Sequence, residues 1–267
     1  MFKVIPNKEN VKIRPVEMAT DTLKDLPYIP PDPLPKKNFF MLISGGVGSG
    51  KSTLWNRLTH DKGHKIKNKD EKHPRFYWKV FDKCYLFSCS KATLPTISLP
   101  EEQIYPDYDA EILQEILDEL KDSGENPNSL FIFDDCIRSI MKKNSNNASI
   151  LHKLILNRRH ATHNADNEKA SGNSIMLITQ KFNLLPLSYR NSLSHLIIFF
   201  TNNSAEIKAI YLEYGTGLKW LDFKKLLNFI WGNPKEKNFC IIDATKPVKD
   251  MFYKNFDKVE IDEKFFE

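Results

Sequence analysis

The sequence predicts an α/β domain: a mainly parallel central sheet with helices on both faces, preceded by a proline-rich N-terminal arm. Three observations predict it. Apolar runs of strand length begin near residues 39, 83, 129, 174 and 195, with helix-length intervals between most of them. The first run leads directly into a glycine-rich loop and a helix start. The third ends in paired acids, as a fully buried parallel strand does where it reaches a ligand site.

The glycine-rich loop carries the most specific signal. Phe39 to Thr53 reads FFMLISGGVGSGKST, in which Gly45, Gly50, Lys51 and Ser52 fit G-x-x-x-x-G-K-S. Gly45, Gly46, Gly48 and Gly50 let the backbone turn tightly and aim its N–H groups at phosphate oxygens. The loop Gly45, Gly46, Val47, Gly48, Ser49, Gly50, Lys51, Ser52 and Thr53 is therefore expected to cradle a nucleoside triphosphate. Lys51 reaches the β- and γ-phosphates, and Ser52 offers a hydroxyl to Mg²⁺, which prefers oxygen ligands. The helix starting near Ser52, TLWNRLTH, adds its positive end.

Composition bounds the rest. A chain of 267 residues can bury a substantial core, and the expected division is an arm over 1–37 and one nucleotide-binding domain over 38–267. No run approaches the roughly eighteen apolar residues of a membrane span, and no secretory leader is evident. Cys84, Cys89, Cys136 and Cys240 show no C-x-x-C spacing, and three lie in strand-like runs. They read as buried free thiols rather than disulfides or zinc ligands. The formal charge of +5 permits a nucleic-acid partner without demanding one. Arginine is scarce, limited to Arg14, Arg57, Arg75, Arg138, Arg158, Arg159 and Arg190.

Taken in order, the arm holds seven prolines, which block helices and favour extended backbone. It reads as a disordered leader or as an arm lying on a neighbouring subunit. His60 to Arg75 is a basic, histidine-bearing loop, suited to solvent or to DNA phosphates. Its histidines lack the carboxylate or cysteine company of a metal site. Lys83 to Cys89 is a strand, Lys91 to Asp107 an irregular connection, and Asp109 to Lys121 an amphipathic helix. Ser129 to Asp135, SLFIFDD, fits a Walker B strand: Asp134 would hold Mg²⁺ and Asp135 would orient and deprotonate the attacking water. Ala148 to Arg159 is a helix ending in two arginines, followed by a polar, mobile loop over 160–173. Ser174 to Gln180 is a strand whose terminal Gln180 is placed to sense the γ-phosphate or the water. His195 to Thr201 is another strand, Ala205 to Tyr214 and Leu221 to Trp231 are helices, and Phe239 to Ile242 is a short strand. The acidic, aromatic tail gives no functional signal.

The order of these motifs resembles the FtsK/HerA superfamily of DNA-pumping ATPases, and more narrowly the genome-packaging ATPases of poxviruses, giant viruses and their virophage and polinton-like relatives. The resemblance covers roughly Phe39 to Thr201. It rests on GGVGSGKST, the paired acids, NRRH after a helix, and ITQ followed by Arg190 and Asn191. It implies a P-loop NTPase of the RecA-like, ASCE type that hydrolyses ATP with Mg²⁺. Lys51 and Ser52 take the phosphate and metal contacts, Asp134 the Walker B acid, and Gln180 the sensor. Asp135 departs from the glutamate that many members carry, so its shorter side chain must sit closer to the water.

Such motors are homo-oligomeric rings in which an arginine from one subunit completes the neighbour's site. The implied finger is Arg159 or Arg190, with Arg158 behind them. Double-stranded DNA and a capsid vertex or portal are the implied partners, in the host cytoplasm at a viral factory or with the virion. Basic loops over 60–75, 142–147 and 160–173 are the candidates for contacting DNA. The rival readings are a helicase or plasmid-transfer translocase, a nucleotide kinase, and a switch that binds nucleotide without hydrolysing it.

Overall fold

Phe40–Ser44 (β1) is buried along its whole length, and its side chains alternate between two hydrophobic clusters on opposite faces of the sheet. Phe40 and Leu42 join one cluster, while Phe39, Met41 and Ile43 join the other. This two-sided burial is why a continuous apolar run makes a central strand here. The computed structural model describes residues 23–65, 72–73, 75–90, 97, 99–142, 147–164, 166–167, 169 and 172–266.

The strands after β1 are His64–Lys65 (β2), Lys72–His73 (β3), Lys83–Ser88 (β4), Ile104–Tyr105 (β5), Asn128–Asp134 (β6), Gly172–Thr179 (β7), His195–Phe199 (β8), Phe239–Asp243 (β9), Phe252–Lys254 (β10) and Asp257–Lys258 (β11). Nine of them form one sheet in the order β11-β10-β9-β8-β1-β7-β6-β4-β5. From β8 to β5 every pairing is parallel; β9, β10 and β11 add on as antiparallel strands. The strand bearing the glycine loop, β1, is separated from the acid-bearing β6 by β7 alone.

Helix Lys51–His60 (α1) covers one face through Trp55 and Leu58, joined by Leu34, Phe76 and Tyr77. The other face is covered by Ala110–Asp122 (α2), Asn147–Asn157 (α4), Ser204–Ile210 (α6) and Trp220–Trp231 (α7). Short helix Ile137–Ile140 (α3) links β6 to α4, and Leu187–Arg190 (α5) lies on the connection from β7 to β8. In α2 the spacing of Leu113, Ile116, Leu117 and Leu120 buries one stripe, each side chain contributing about 2 kcal/mol. Asp109 caps this helix by accepting from Glu111 N at 2.8 Å. After α6 the chain widens into a π-helical turn over Tyr211–Gly215 before α7 begins.

Several expectations need correction. The basic loop 60–75 holds an antiparallel strand pair, β2 with β3. The irregular connection 91–107 includes β5, which extends the sheet edge. The tail is structural: β10 and β11 complete the other edge by pairing out from β9. Of the loop 160–173, read as mobile, the described residues Asn164, Asn167 and Lys169 are tied down by buried Asn126, whose Nδ2 donates to Asn164 O, Asn167 O and Lys169 O while its Oδ1 accepts from Asn164 N. The end of the arm packs on its own domain, with Leu34 buried and Tyr77 Oη donating to Pro35 O at 2.9 Å. The first part of the arm, residues 1–22, and most of the DNA-contact candidate 142–147 lie outside the described residues. Of the cysteines, Cys136 and Cys240 are buried and Cys84 is half-buried, but Cys89 is exposed because β4 ends at Ser88.

Candidate active site

Three neighbouring strands stop at the same level, and their exits assemble the site. Ser44 of β1 pairs with Thr179 of β7, and Asp134 of β6 pairs with Ile178 of β7. Backbone bonds continue one step beyond the strands: Gly45 N donates to Thr179 O at 3.3 Å, and Asp135 N to Ile178 O at 3.1 Å. The glycine loop, the paired acids and Gln180 therefore emerge side by side at the carboxyl edge of the parallel sheet.

The loop's geometry explains its glycines at two positions. A β-carbon on Gly45 would lie 2.7 Å from Phe199 Cβ and 2.8 Å from Ser49 Oγ, so the turn closes against β8 only without a side chain. Gly50 is the residue before α1 and adopts φ 110°, a conformation that side chains resist. Lys51 follows it and is buried; its Nζ donates across the loop to Gly46 O at 3.0 Å. Burial pushes the Lys51 ammonium down, and the Asp135 and Asp134 carboxylates partly offset that. Ser52, in the first turn of α1, is exposed.

Asp134 is 2% exposed, and its Oδ2 has no hydrogen-bond partner among the described residues. Burial, then repulsion from Asp135, raises its carboxyl to about 6; Trp55, Lys51 and Ser88 pull the other way. A buried carboxylate oxygen and a serine hydroxyl are both oxygen donors of the kind Mg²⁺ takes. The residues fit that ion.

Asp135 does not continue the strand, as the sequence suggested it would. Its φ of 58° is left-handed, which aspartate tolerates better than most residues, and this turn carries its side chain out of the sheet. There Asp135 Oδ2 accepts a hydrogen bond from Gln180 Nε2 at 3.2 Å. The amide hydrogen bond orients the carboxylate.

The two favoured arginines are placed differently from one another. Arg159 follows α4, whose end is fixed to the amino edge of the sheet by the bond from Asn173 N to Arg158 O at 2.8 Å. The five residues of β1 put about 16 Å between that edge and the glycine loop. Arg158 donates through Nε to Asn38 O and through Nη1 to Ile155 O, both at 2.7 Å, a structural role. Arg190 is paired within the chain with Glu213, Nη1 to Oε1 at 2.5 Å, and its guanidinium lies 4.9 Å from the centre of the Phe182 ring. Arg159 thus lies at the edge remote from the glycine loop of its own chain, while Arg190 is held by Glu213 against Phe182, two residues beyond Gln180.

Two further residues reach the site without a warning in the sequence. Glu206, buried in α6, accepts from Phe182 N at 2.5 Å, Thr201 Oγ1 at 2.9 Å and Ser44 Oγ at 3.5 Å. It ties together the exits of β1, β7 and β8. Lys237, between α7 and β9, approaches the loop: its Cδ would be 3.7 Å from a β-carbon on Gly50. Both come from segments far along the chain, and an acid in the first turn of a helix ordinarily signals capping alone.

No protein-family model matches the chain, and no curated protein matches it in sequence. Among solved structures, it superposes on B204, the DNA-packaging ATPase of Sulfolobus turreted icosahedral virus, with a TM-score of 0.50 at 14% identity, over 83% of this chain and 98% of that one. The genome-packaging NTPase B204 of Sulfolobus turreted icosahedral virus 2, in complex with sulfate, gives 0.51 at 14% identity over 84% and 98%. The likeness is one of fold, and it extends over nearly the whole of those chains. No helix among the described residues is long and apolar enough to cross a membrane.

Proposed function

We propose that this chain, built on the fold shared with viral genome-packaging ATPases, hydrolyses ATP to drive double-stranded DNA into a capsid as a homo-oligomeric ring. One observation carries the catalytic part: the exits of β1, β6 and β7 bring Lys51, the buried Asp134 carboxylate and the Asp135–Gln180 pair to one edge. The DNA-packaging part rests on the motif order and on the fold.

In this reading the amides of residues 46–51 and the Lys51 ammonium bind the triphosphate and stabilise its developing charge. Ser52 and Asp134 hold Mg²⁺, which when bound neutralises phosphate oxygens. Asp135 accepts a proton from the attacking water, and Gln180 holds that carboxylate in the attacking orientation. Arg159, exposed at the edge remote from its own loop, is the better placed of the two arginines to act on a neighbouring subunit, because Arg190 has little exposure. DNA contact is mainly to phosphates, which makes it salt-dependent and little dependent on sequence. The capsid vertex or portal is the assembly partner, and the work takes place in the host cytoplasm at the viral factory.

The test is ATP hydrolysis by the purified chain with and without long double-stranded DNA, at two salt concentrations, beside Lys51→Ala. Stimulation by DNA of any sequence, reduced at high salt and absent in the variant, is the expected result. Phosphorylation of a nucleoside monophosphate without a DNA response overturns the motor reading in favour of a kinase. Unwinding of a forked duplex points to a helicase instead.

A further inference from the structure

Cys89 and Cys136 are 47 positions apart in sequence, yet their sulfurs lie 3.7 Å apart. Cys89 follows β4 and Cys136 follows the acid pair of β6; the parallel pairing of Ser88 with Asp134 brings the two exits together. Asp107, from the turn before α2, completes a cluster: Cys89 Sγ donates to its Oδ1 at 2.9 Å, and the three donor atoms all lie within 4.8 Å of one another. The Asp107 carboxylate is itself held in place, Oδ2 by Ser139 Oγ at 2.7 Å and Oδ1 by Tyr108 N at 2.7 Å.

We propose that Cys89, Cys136 and Asp107 bind a soft divalent cation of the zinc type, with water from the exposed Cys89 side as fourth ligand. The spacing matches the chemistry. A tetrahedral zinc with Zn–S bonds of about 2.3 Å holds its two sulfurs about 3.8 Å apart. A disulfide instead requires the sulfurs to close to about 2.05 Å. Both thiols give up their protons on binding, and the metal replaces the S–H···O contact between Cys89 and Asp107 by two bonds. Ser139 and Tyr108 act as the outer groups that orient the ligating carboxylate.

Thiolates select zinc over Mg²⁺, whose ligands are oxygens, so this site is chemically separate from Asp134 although it lies next to it. Its occupant joins the β4 exit, the turn before α2 and the turn after β6. It thereby fixes the backbone that carries Asp134 and Asp135.

The test uses the full chain without a histidine tag, reduced with a phosphine and stripped with a chelator, then titrated with Co²⁺. The expected result is a thiolate-to-cobalt charge-transfer band that saturates at one equivalent, persists in excess Mg²⁺ and is erased by Zn²⁺. Cys89→Ser, an exposed change that leaves the core intact, abolishes the band, and Asp107→Asn weakens Co²⁺ binding at least about 10-fold. Cys136→Ser also abolishes it in protein whose circular dichroism is unchanged. Absence of the band in fully reduced protein overturns the proposal, as does a band of full intensity in Cys89→Ser. Co²⁺ binding without a thiolate band assigns the ion to oxygen ligands and overturns it equally.

Discussion

Gln180 Nε2 donates to Asp135 Oδ2 at 3.2 Å, joining the end of β7 to the turn after β6 across two adjacent strands. Neither residue is in a strand, yet the register of the strands fixes their meeting. If Asp135 is the base, Asp135→Asn lowers the maximal ATP hydrolysis rate by about 10²-fold or more while ATP binding persists. Gln180→Ala lowers the rate less, because the carboxylate remains but is no longer oriented. Single-turnover hydrolysis beside nucleotide affinity separates these effects, and a normal rate in Asp135→Asn removes that residue from the chemistry.

Lys51→Ala is expected to abolish hydrolysis and the thermal stabilisation given by ATP, since a ligand stabilises only the state that binds it. The unliganded variant keeps its melting temperature within a few degrees. A nucleotide-induced shift equal to that of the parent chain would argue against the phosphate role.

Glu206 separates an acid that positions from an acid that reacts. Its Oε1 accepts from Phe182 N and Ser44 Oγ, while Oε2 meets only the Thr201 hydroxyl, which can itself accept. Glu206→Gln therefore keeps these bonds and costs under about 1 kcal/mol, whereas Glu206→Ala strands a buried N–H and costs about 2–3 kcal/mol. Urea unfolding of both variants, with ATP hydrolysis rates alongside, measures the difference.

Arg190 and Glu213 are an intrachain pair with little exposure. Arg190→Ala leaves the Glu213 carboxylate half-buried without its partner and is expected to destabilise the chain by about 2–4 kcal/mol, with the double variant costing less than the sum. Arg159 is exposed, so Arg159→Ala changes stability by under about 0.5 kcal/mol. Mixing Arg159→Ala with Lys51→Ala subunits restores hydrolysis only if the two groups meet across an interface. No recovery in a mixture that co-assembles removes Arg159 as a finger.

His195 supplies the pH prediction. Its Nε2 is 3.4 Å from Asp243 Oδ1, but burial outweighs that attraction and lowers the imidazole to about 4, with Lys246 adding to the effect. We therefore take the buried ring as neutral. The unfolded chain binds a proton near the ordinary value of about 6.5, while the folded one resists until about 4. Its contribution is complete above about pH 6.5, declines as pH falls toward 4 and is level below that, a span on the order of 1–3 kcal/mol. His195→Gln should flatten this part of the stability profile in denaturant titrations between pH 7 and 4.

The glycine loop, the apolar runs and the paired acids were legible because each is a local arrangement. A phosphate loop needs its glycines, lysine and serine at fixed spacing on one short segment. A strand buried on both faces needs an unbroken apolar run, as in FFMLIS and SLFIF. By itself, then, the sequence determined where the glycine loop and the paired acids fall along the chain and the presence of a two-sided sheet. The tertiary structure alone decided what meets at the sheet's edge. Strand order and register placed Gln180 on Asp135, Cys136 beside Cys89, and Glu206 under the exits of β1, β7 and β8. It also carried Arg159 to the far edge and gave Arg190 its partner Glu213. Those contacts join residues tens to more than a hundred positions apart. No period or motif encodes them, because they follow from how the parallel strands align.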